Sequence, residues 1–313
     1  MLKRSVFTAW LALGLVFVLL LARGRAVSLR SDRPAGAEEL RVLHRGEVLT
    51  LPFEEYLAGV VAAEMPAAFE PEALKAQAVA ARTYTRYCQR SGRHREAAVC
   101  TDPGCCQAWR SDAQLHESWG SRYEENRARI RSAVDATRGQ ILCYAGEAVF
   151  AAFHSSSAGF TEDCGAIWNG LPYLVSVSSP ESAETVPNYV TTVERSPLDF
   201  RDTLLAERPE ADFTGAPETW LGGAVRDGSG RVAGMLLGGA PFTGVKLREL
   251  FGLRSTAFTL AYEEGVFRFT VVGFGHGVGM SQYGANVMAA DGADYAAILA
   301  HYYPGTELTD SAL

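Results

Sequence analysis

Residues 53–90, FEEYLAGVVAAEMPAAFEPEALKAQAVAARTYTRYCQR, restrict the fold more than any other segment, because their pattern calls for two helices parted by prolines. Tyr56, Leu57, Val60 and Val61 recur at helical spacing and make one apolar face. Glu54 and Glu55 occupy the first turn, where exposed backbone amides favour negative charge. Pro66 stops this helix just after Glu64. A second helix begins at Pro71, since a residue without an amide hydrogen loses nothing at the first helical position. Leu74, Ala78 and Ala81 form its apolar stripe, and short alanine side chains let a neighbouring element approach closely. Lys75, Ala78, Val79 and Arg82 share an adjacent face, which lines up two cations.

Glu64 ends the first helix in apolar company, with Val60, Val61, Ala62 and Ala63 before it and Met65 and Pro66 after it. Burial penalises the charged form of a carboxyl, so such a group stays protonated to higher pH and suits general-acid chemistry. The structural alternative is a helix-end Glu that pairs with Arg82 or Lys75 or is simply solvated.

The chain has 313 residues, 48% hydrophobic and 21% charged, with 29 Lys and Arg against 36 Asp and Glu, a formal net charge of −7. This composition belongs to a globular protein and not to a disordered one. The acidic balance argues against a nucleic-acid partner, because such binders concentrate positive charge to displace counterions from phosphates. Part of the apolar fraction sits in residues 6–22, an uncharged run preceded by Lys3 and Arg4. A helix needs about 20 residues to span hydrocarbon. The run therefore reads as a short signal anchor, with a cleaved secretory signal and a buried core helix as the alternatives. The expected organisation is a cytoplasmic stub and anchor over residues 1–26, a polar linker over 27–39 and one large extracytoplasmic domain over 40–313. A single pass would hold that domain at the cell membrane. The domain opens with a short hairpin in RVLHRGEVLTLPF, residues 41–53.

Two later blocks carry polar groups in unusual density. VFAAFHSSSAGF, residues 149–160, runs from an apolar, strand-like stretch into His154 and the serines Ser155, Ser156 and Ser157, small donors that suit sugar hydroxyls. A Ser-His hydrolase reading is weak here: there is no G-x-S-x-G elbow, and adjacent residues of an extended chain point to opposite faces. Trp168 and Tyr173 are candidates for stacking on a sugar ring or for core packing. In GFGHGVGMSQYGA, residues 273–285, four glycines surround His276 and shape a loop. It is not a phosphate cradle, which would need a strand before it, a helix after it and an acidic ribose partner. Residues 294–303 read as an amphipathic helix stopped by Pro304. Residues 200–272 read as scaffold: a helix, a hairpin turning at 227–230, another helix, and a second hairpin around a Glu-Gly turn.

The six cysteines make a second constellation. His94, Cys100 and Cys106 stand six apart, Cys105 adjoins the last, and all lie in a loop carrying Pro103 and Gly104. Thiolates and imidazole are the donors zinc prefers, and four within 13 residues can close a tetrahedron. A disulfide among the three cysteines is the competing reading outside the cytoplasm. Cys143 and Cys164 flank the His154 block as a candidate pair, and Cys88 has no obvious partner.

The segments EYLAGVVAAEMP and EALKAQAVAARTY, with residues 153–181 and 273–308, are together similar to the SpoIID/LytB family of peptidoglycan lytic transglycosylases. The similarity runs in register from about residue 40 to 308. It implies cleavage of the β-1,4 bond between N-acetylmuramic acid and N-acetylglucosamine in peptide-stripped glycan strands, with 1,6-anhydro products, during engulfment in sporulation. By motif position Glu64 is the catalytic acid and base. Arg82, Lys75, His154, Ser155, His276, Gln282 and Tyr283 are the expected substrate contacts. Some family members carry zinc on a His-x5-Cys-x5-Cys pattern, which implies a structural zinc on His94, Cys100, Cys105 and Cys106; a His stands in those members where this chain has Cys105. The implied partners are glycan strands, the membrane and a peptidoglycan amidase. The implied fold is α+β, with the helices of the first motif packed on strand-rich segments lining a cleft. A non-catalytic glycan-binding or amidase-modifying protein is the alternative, and a zinc hydrolase is disfavoured because no H-E-x-x-H pair exists.

Overall fold

The computed structural model describes residues 38–310, and both helices of the first motif are present with the expected ends. The chain enters through an antiparallel hairpin, β1 (Glu39–His44) and β2 (Glu47–Pro52), which leads straight into α1 (Phe53–Glu64). Phe53, Tyr56, Leu57, Val60 and Val61 form one buried stripe of α1. The backbone turns extended at Met65, and Pro66 cannot supply the amide that would continue the ladder.

After a proline-bounded turn, α2 (Pro71–Ser91) begins with Pro71 at its first position. Ala73, Ala76, Ala78, Ala80 and Ala81 are buried, so α2 can be surrounded. The strand β3 (Val99–Cys100) returns to lie parallel to β1. Two helices follow that the sequence patterns did not single out, α3 (Asp112–Trp119) and α4 (Tyr123–Ala136). Their apolar content is small: Leu115 alone is buried on α3, and Tyr123, Ile130, Ala133 and Val134 on α4. α4 packs against both α1 and α2.

The two polar blocks are joined to each other. β4 (Gln140–Tyr144) and β5 (Glu147–Ala148) precede β6 (Phe153–His154), and β6 pairs in parallel with β13 (Met280–Ser281), placing Ser281 opposite His154. Isolated bridges between Ser156 and Phe274 and between Glu162 and Val278 continue the seam ahead of a short helix, α5 (Cys164–Ile167). α8 (Gln282–Ala290) and α9 (Tyr295–Tyr302) then close on α2, and β14 (Glu307–Asp310) pairs with β4. This core comprises the α1 stripe, the α2 alanines, Ile130, Val134, Leu142, Val278, Met280, Ile298 and Tyr303.

The α+β expectation holds, with one correction. The strand-rich residues 190–272 do not form a floor for the helices of the first motif, because they have a hydrophobic core of their own. This lobe contains β7 (Val190–Arg195), α6 (Pro197–Glu207), β8 (Leu221–Arg226), β9 (Val232–Leu237), β10 (Ala240–Thr243), α7 (Gly244–Phe251), β11 (Phe258–Glu263) and β12 (Val266–Val272). Its strands make two antiparallel sheets, ordered β10-β9-β8 and β11-β12-β7. Phe267, Phe269 and Val271 alternate along β12 and face inward, and the Phe200 ring of α6 stacks on Phe267 at 3.9 Å. Those aromatic side chains satisfy each other inside the lobe and leave no apolar face for α1 and α2. No helix among the described residues is long and apolar enough to cross a membrane, and the run at 6–22 lies outside the described residues.

Candidate active site

Glu64 is the last residue of α1 and is half-buried. Its Oε1 accepts a hydrogen bond from the backbone N–H of Ala108 at 2.7 Å, and its Oε2 accepts one from the Gln282 side-chain amide at 3.4 Å. Burial raises its pKa above the ordinary 4.5, and these two donors only partly offset that effect. Neither Arg82 nor Lys75 is among its partners, so the helix-end ion pair considered from the sequence does not form.

Gln282 reaches Glu64 because it opens α8 directly after β13. Ser281 caps that helix by accepting from the Gly284 amide. The Gln282 amide also lies 3.5 Å from Gln77 Oε1 on α2. Tyr283 donates its backbone N–H to the Ser155 carbonyl at 3.0 Å, and its ring packs edge-on against Phe69 at 4.9 Å. Ser155 is half-buried beside it.

His154 is buried on the seam. Its Nδ1 lies 3.2 Å from the Val278 carbonyl, which can only accept, so Nδ1 carries the proton and Nε2 accepts from Ser157 Oγ at 2.7 Å. Burial, with His276 nearby, holds its pKa well below the usual histidine value. The pKa of His276 is pushed down to about 4 by burial and then by the Arg248 guanidinium. Both rings are therefore neutral at pH 7. The His276 ring lies between His154 at 5.7 Å and Trp168 at 5.1 Å. Trp168 is 42% exposed and offers an aromatic face, whereas Tyr173 is buried with its hydroxyl accepting from the Phe150 amide. Of those two aromatic candidates, Trp168 alone has the access that a sugar ring needs.

Two expected substrate contacts are corrected. The Arg82 side chain is 1% exposed, its Nε and Nη2 bind the Glu54 carboxylate at 3.2 and 2.8 Å, and it also donates to the carbonyls of Gln140 and Val134. Its donors are consumed tying α1 to α2, α4 and β4, so it is out of reach of any ligand. Lys75 pairs with Glu72 at 2.6 Å and lies over the Tyr295 ring, at the start of α9 and not at Glu64.

Two buried polar centres, around Glu181 and Arg231, were not legible in the sequence. Glu181 accepts from the Ser157 amide and from the hydroxyls of Ser179 and Ser281, which locks the His154 block to the His276 block. Arg231 reaches from the second lobe to Glu162 at 3.7 Å, with both side chains buried. Burial and Asp227 push the Glu162 pKa up to about 7. The Arg231 guanidinium fills the space above Gly277, where a Cβ would lie 2.6 Å from it. A glycine is needed at 277 for that close approach as well as for its φ of +88°.

His94, Cys100, Cys105 and Cys106 come together with all four donor atoms within 4.8 Å of one another. His94 Nε2 is 3.3 Å from Cys106 Sγ and 3.7 Å from Cys105 Sγ. A zinc tetrahedron with bonds of about 2.3 Å to sulfur and about 2.1 Å to nitrogen has edges of roughly 3.6–3.8 Å. The cluster needs little adjustment to fit it, and Cys105 stands ready as a fourth donor. Asp102 shapes the turn, its carbonyl accepting from the amides of Cys105 and Cys106 and its side chain from Gly104. Cys88, without a partner in the sequence reading, lies against Cys106 and Tyr84. None of the six cysteines is disulfide-bonded. The candidate pair of Cys143 and Cys164 is corrected, because Cys143 contacts the Thr309 hydroxyl and Cys164 donates to the Asn169 carbonyl.

A family model described as stage II sporulation protein matches residues 44–144, the stretch that holds Glu64, Ala108 and the thiol cluster. The chain is 39% identical over 268 residues to stage II sporulation protein D of Bacillus amyloliquefaciens, covering 84% of this chain and 76% of that one. It is 38% identical to stage II sporulation protein D of Bacillus subtilis, with the same coverage. It is also 27% identical over 314 residues to the amidase enhancer of Bacillus subtilis, covering 81% of this chain and 40% of that protein.

Proposed function

The chain belongs to the SpoIID family of stage II sporulation proteins, and on that premise we propose that it is a peptidoglycan lytic transglycosylase with Glu64 as its single acid and base. The observation that carries this reading is the environment of Glu64: a carboxyl with a raised pKa, held by one amide N–H and the Gln282 amide, with no second carboxylate acting on it among the described residues. Most glycosidases that hydrolyse use two carboxyl groups, one as acid and one as nucleophile or base. Intramolecular cyclisation needs one. Protonated Glu64 gives its proton to the glycosidic oxygen as the bond to C1 breaks. The muramoyl C6 oxygen then bonds to C1, and its hydroxyl proton passes to the Glu64 carboxylate. The acid is regenerated and no water is consumed.

The rest of the site supports this chemistry. The Ala108 N–H and Gln282 amide donate to Glu64 and steady the carboxylate that forms after proton donation. The neutral rings of His154 and His276 hold the seam from which Ser281 leads into Gln282. Trp168 is the available face for a sugar ring, and Ser155 and Tyr283 line the same junction. The remainder of the reading is an extracytoplasmic domain held at the membrane by the segment at 6–22, acting on cell-wall strands in sporulation beside an amidase that strips stem peptides. The likeness to an amidase enhancer supports that last association.

Digestion of purified, peptide-stripped strands, analysed by mass, tests the activity. Fragments 18 Da lighter than hydrolytic products, one lost water per cleavage, are the expected result. Hydrolytic ends, or strand binding without cleavage, would replace it with a hydrolase or with the non-catalytic binding alternative. His94, Cys100, Cys105 and Cys106 would hold zinc, which when bound supplies a structural cross-link in the loop. Protein purified without chelator is expected to contain about one zinc per chain by elemental analysis, and Cys100→Ser is expected to lose it.

A further inference from the structure

The thiol–imidazole cluster and Glu64 are joined by a very short piece of chain. Ala108, whose amide binds Glu64, is the second residue after Cys106, and two residue steps span at most about 7 Å even when extended. The intervening residue has no slack. Gln107 is 1% exposed, and its Nε2 donates to Thr85 Oγ1 at 2.9 Å on α2 and to the Tyr56 hydroxyl at 3.2 Å on α1. Gln107 thus bridges the two helices, and Ala108 is delivered to Glu64 at the end of α1. Beyond it, the Trp109 indole lies so close to Gly59 of α1 that no other residue fits there, and the Arg110 amide donates to the Gly59 carbonyl at 3.2 Å.

We infer that residues 106–108 are a strap through which closure of the His94–Cys100–Cys105–Cys106 cluster fixes the position of the Ala108 amide on Glu64, with Gln107 as the positioning residue. The loop before the strap is fastened to β1 by the two-residue pairing of β3 and by the side-chain hydrogen bond of His44 with Thr101 at 2.9 Å, and to α2 by donation from the Tyr84 hydroxyl to the Cys105 carbonyl at 3.3 Å; these ties all lie upstream of Cys106. Cys106 and Ala108 flank the single residue Gln107, so when the cluster opens the Gln107 backbone is pulled against its two side-chain hydrogen bonds and Ala108 shifts with it. The cluster then does more than stabilise a loop: it sets the donor that steadies the Glu64 carboxylate. The importance of that donor for reaction rests on the reading of Glu64 as the reacting group.

Amide hydrogen exchange resolved at single residues tests the strap without turnover. With zinc bound, the Ala108 amide is expected to be protected, and removal of zinc by a chelator should speed its exchange about tenfold or more while Val60, Val61 and Val79 keep their protection. Gln107→Leu should retain zinc yet expose the Ala108 amide, and should lower kcat for strand cleavage with little change in KM. Unchanged Ala108 exchange on zinc removal, a parallel loss of protection throughout α1 and α2, or a protein that takes up no zinc would each overturn the inference. If Gln107→Leu fails to fold, the chelation comparison on the unaltered protein still decides it. Failure of the Glu64 reading would show separately, as absent anhydro products beside an intact exchange response.

Discussion

Glu64→Gln is expected to lower the rate of strand cleavage by roughly three orders of magnitude, the scale of a lost general acid and base, while raising stability at neutral pH. The two effects share one cause. Gln is nearly the same size and its carbonyl oxygen can still accept from Ala108, but it has no proton to give and no charge to bury. In the native protein the Glu64 pKa lies above its ordinary 4.5 because burial opposes the charged form. The native state therefore binds this proton more tightly than the unfolded state does. Around pH 4 and below, where the carboxyl is protonated in both states, it costs nothing; as pH rises through the native pKa, the ionised form destabilises the fold. Thermal melts should show Glu64→Gln above the unaltered protein at pH 7.5, with the gap closing towards pH 4. Equal cleavage by both proteins would remove Glu64 from the chemistry, and a gap that widens on acidification would reverse the assigned burial effect.

Arg82→Met should cost about 3–5 kcal/mol of stability, the range found when one partner of a buried ion pair is removed. Glu54 keeps a mostly buried carboxylate without its cation, and the carbonyls of Val134 and Gln140 lose a donor. Chemical denaturation is the measurement. The double variant Arg82→Met, Glu54→Leu should recover most of the loss, because no uncompensated charge remains. Per folded molecule, KM for glycan strands should be unchanged. A raised KM with unaltered stability is the outcome that would return Arg82 to the substrate.

Arg82 also illustrates how far a local pattern can be read. Helical spacing correctly put Lys75 and Arg82 on one face of α2, yet the identity of that face depends on what packs there. α1 and α4 cover Arg82, and Glu54, 28 residues away, takes its charge. The same limit applies to residues 200–272, whose hairpins and helices are visible in periodicity. That they turn their aromatic faces on one another is a tertiary fact, expressed in the stacking of Phe200, Phe251 and Phe267. α3 and α4 escaped notice because the five residues they bury are too few for a clear apolar stripe.

The site divides in the same way. Glu64, His154, His276 and the four thiol-cluster residues stood out because their surroundings were anomalous: a carboxyl among alanines, a histidine among serines or glycines, three thiols and an imidazole in one loop; Gln282 stood out only through the family resemblance. Ala108, Gln107, Glu181 and Arg231 did not. Ala108 acts through a backbone amide that every residue but proline possesses, and the others matter only for what they meet across the fold.

By itself the sequence determined the ends of α1 and α2, the apolar setting of Glu64 and the gathering of thiols, all consequences of covalent neighbours and of helical period. Tertiary structure alone decided what touches Glu64. Its donors come from 44 and 218 residues away, and separations of that size are bridged by packing and backbone closure, which leave no periodic mark in a chain. The same packing turned Arg82 from an apparent ligand contact into a buried tie, and brought the Ala108 amide, two positions after Cys106, onto the Glu64 carboxyl.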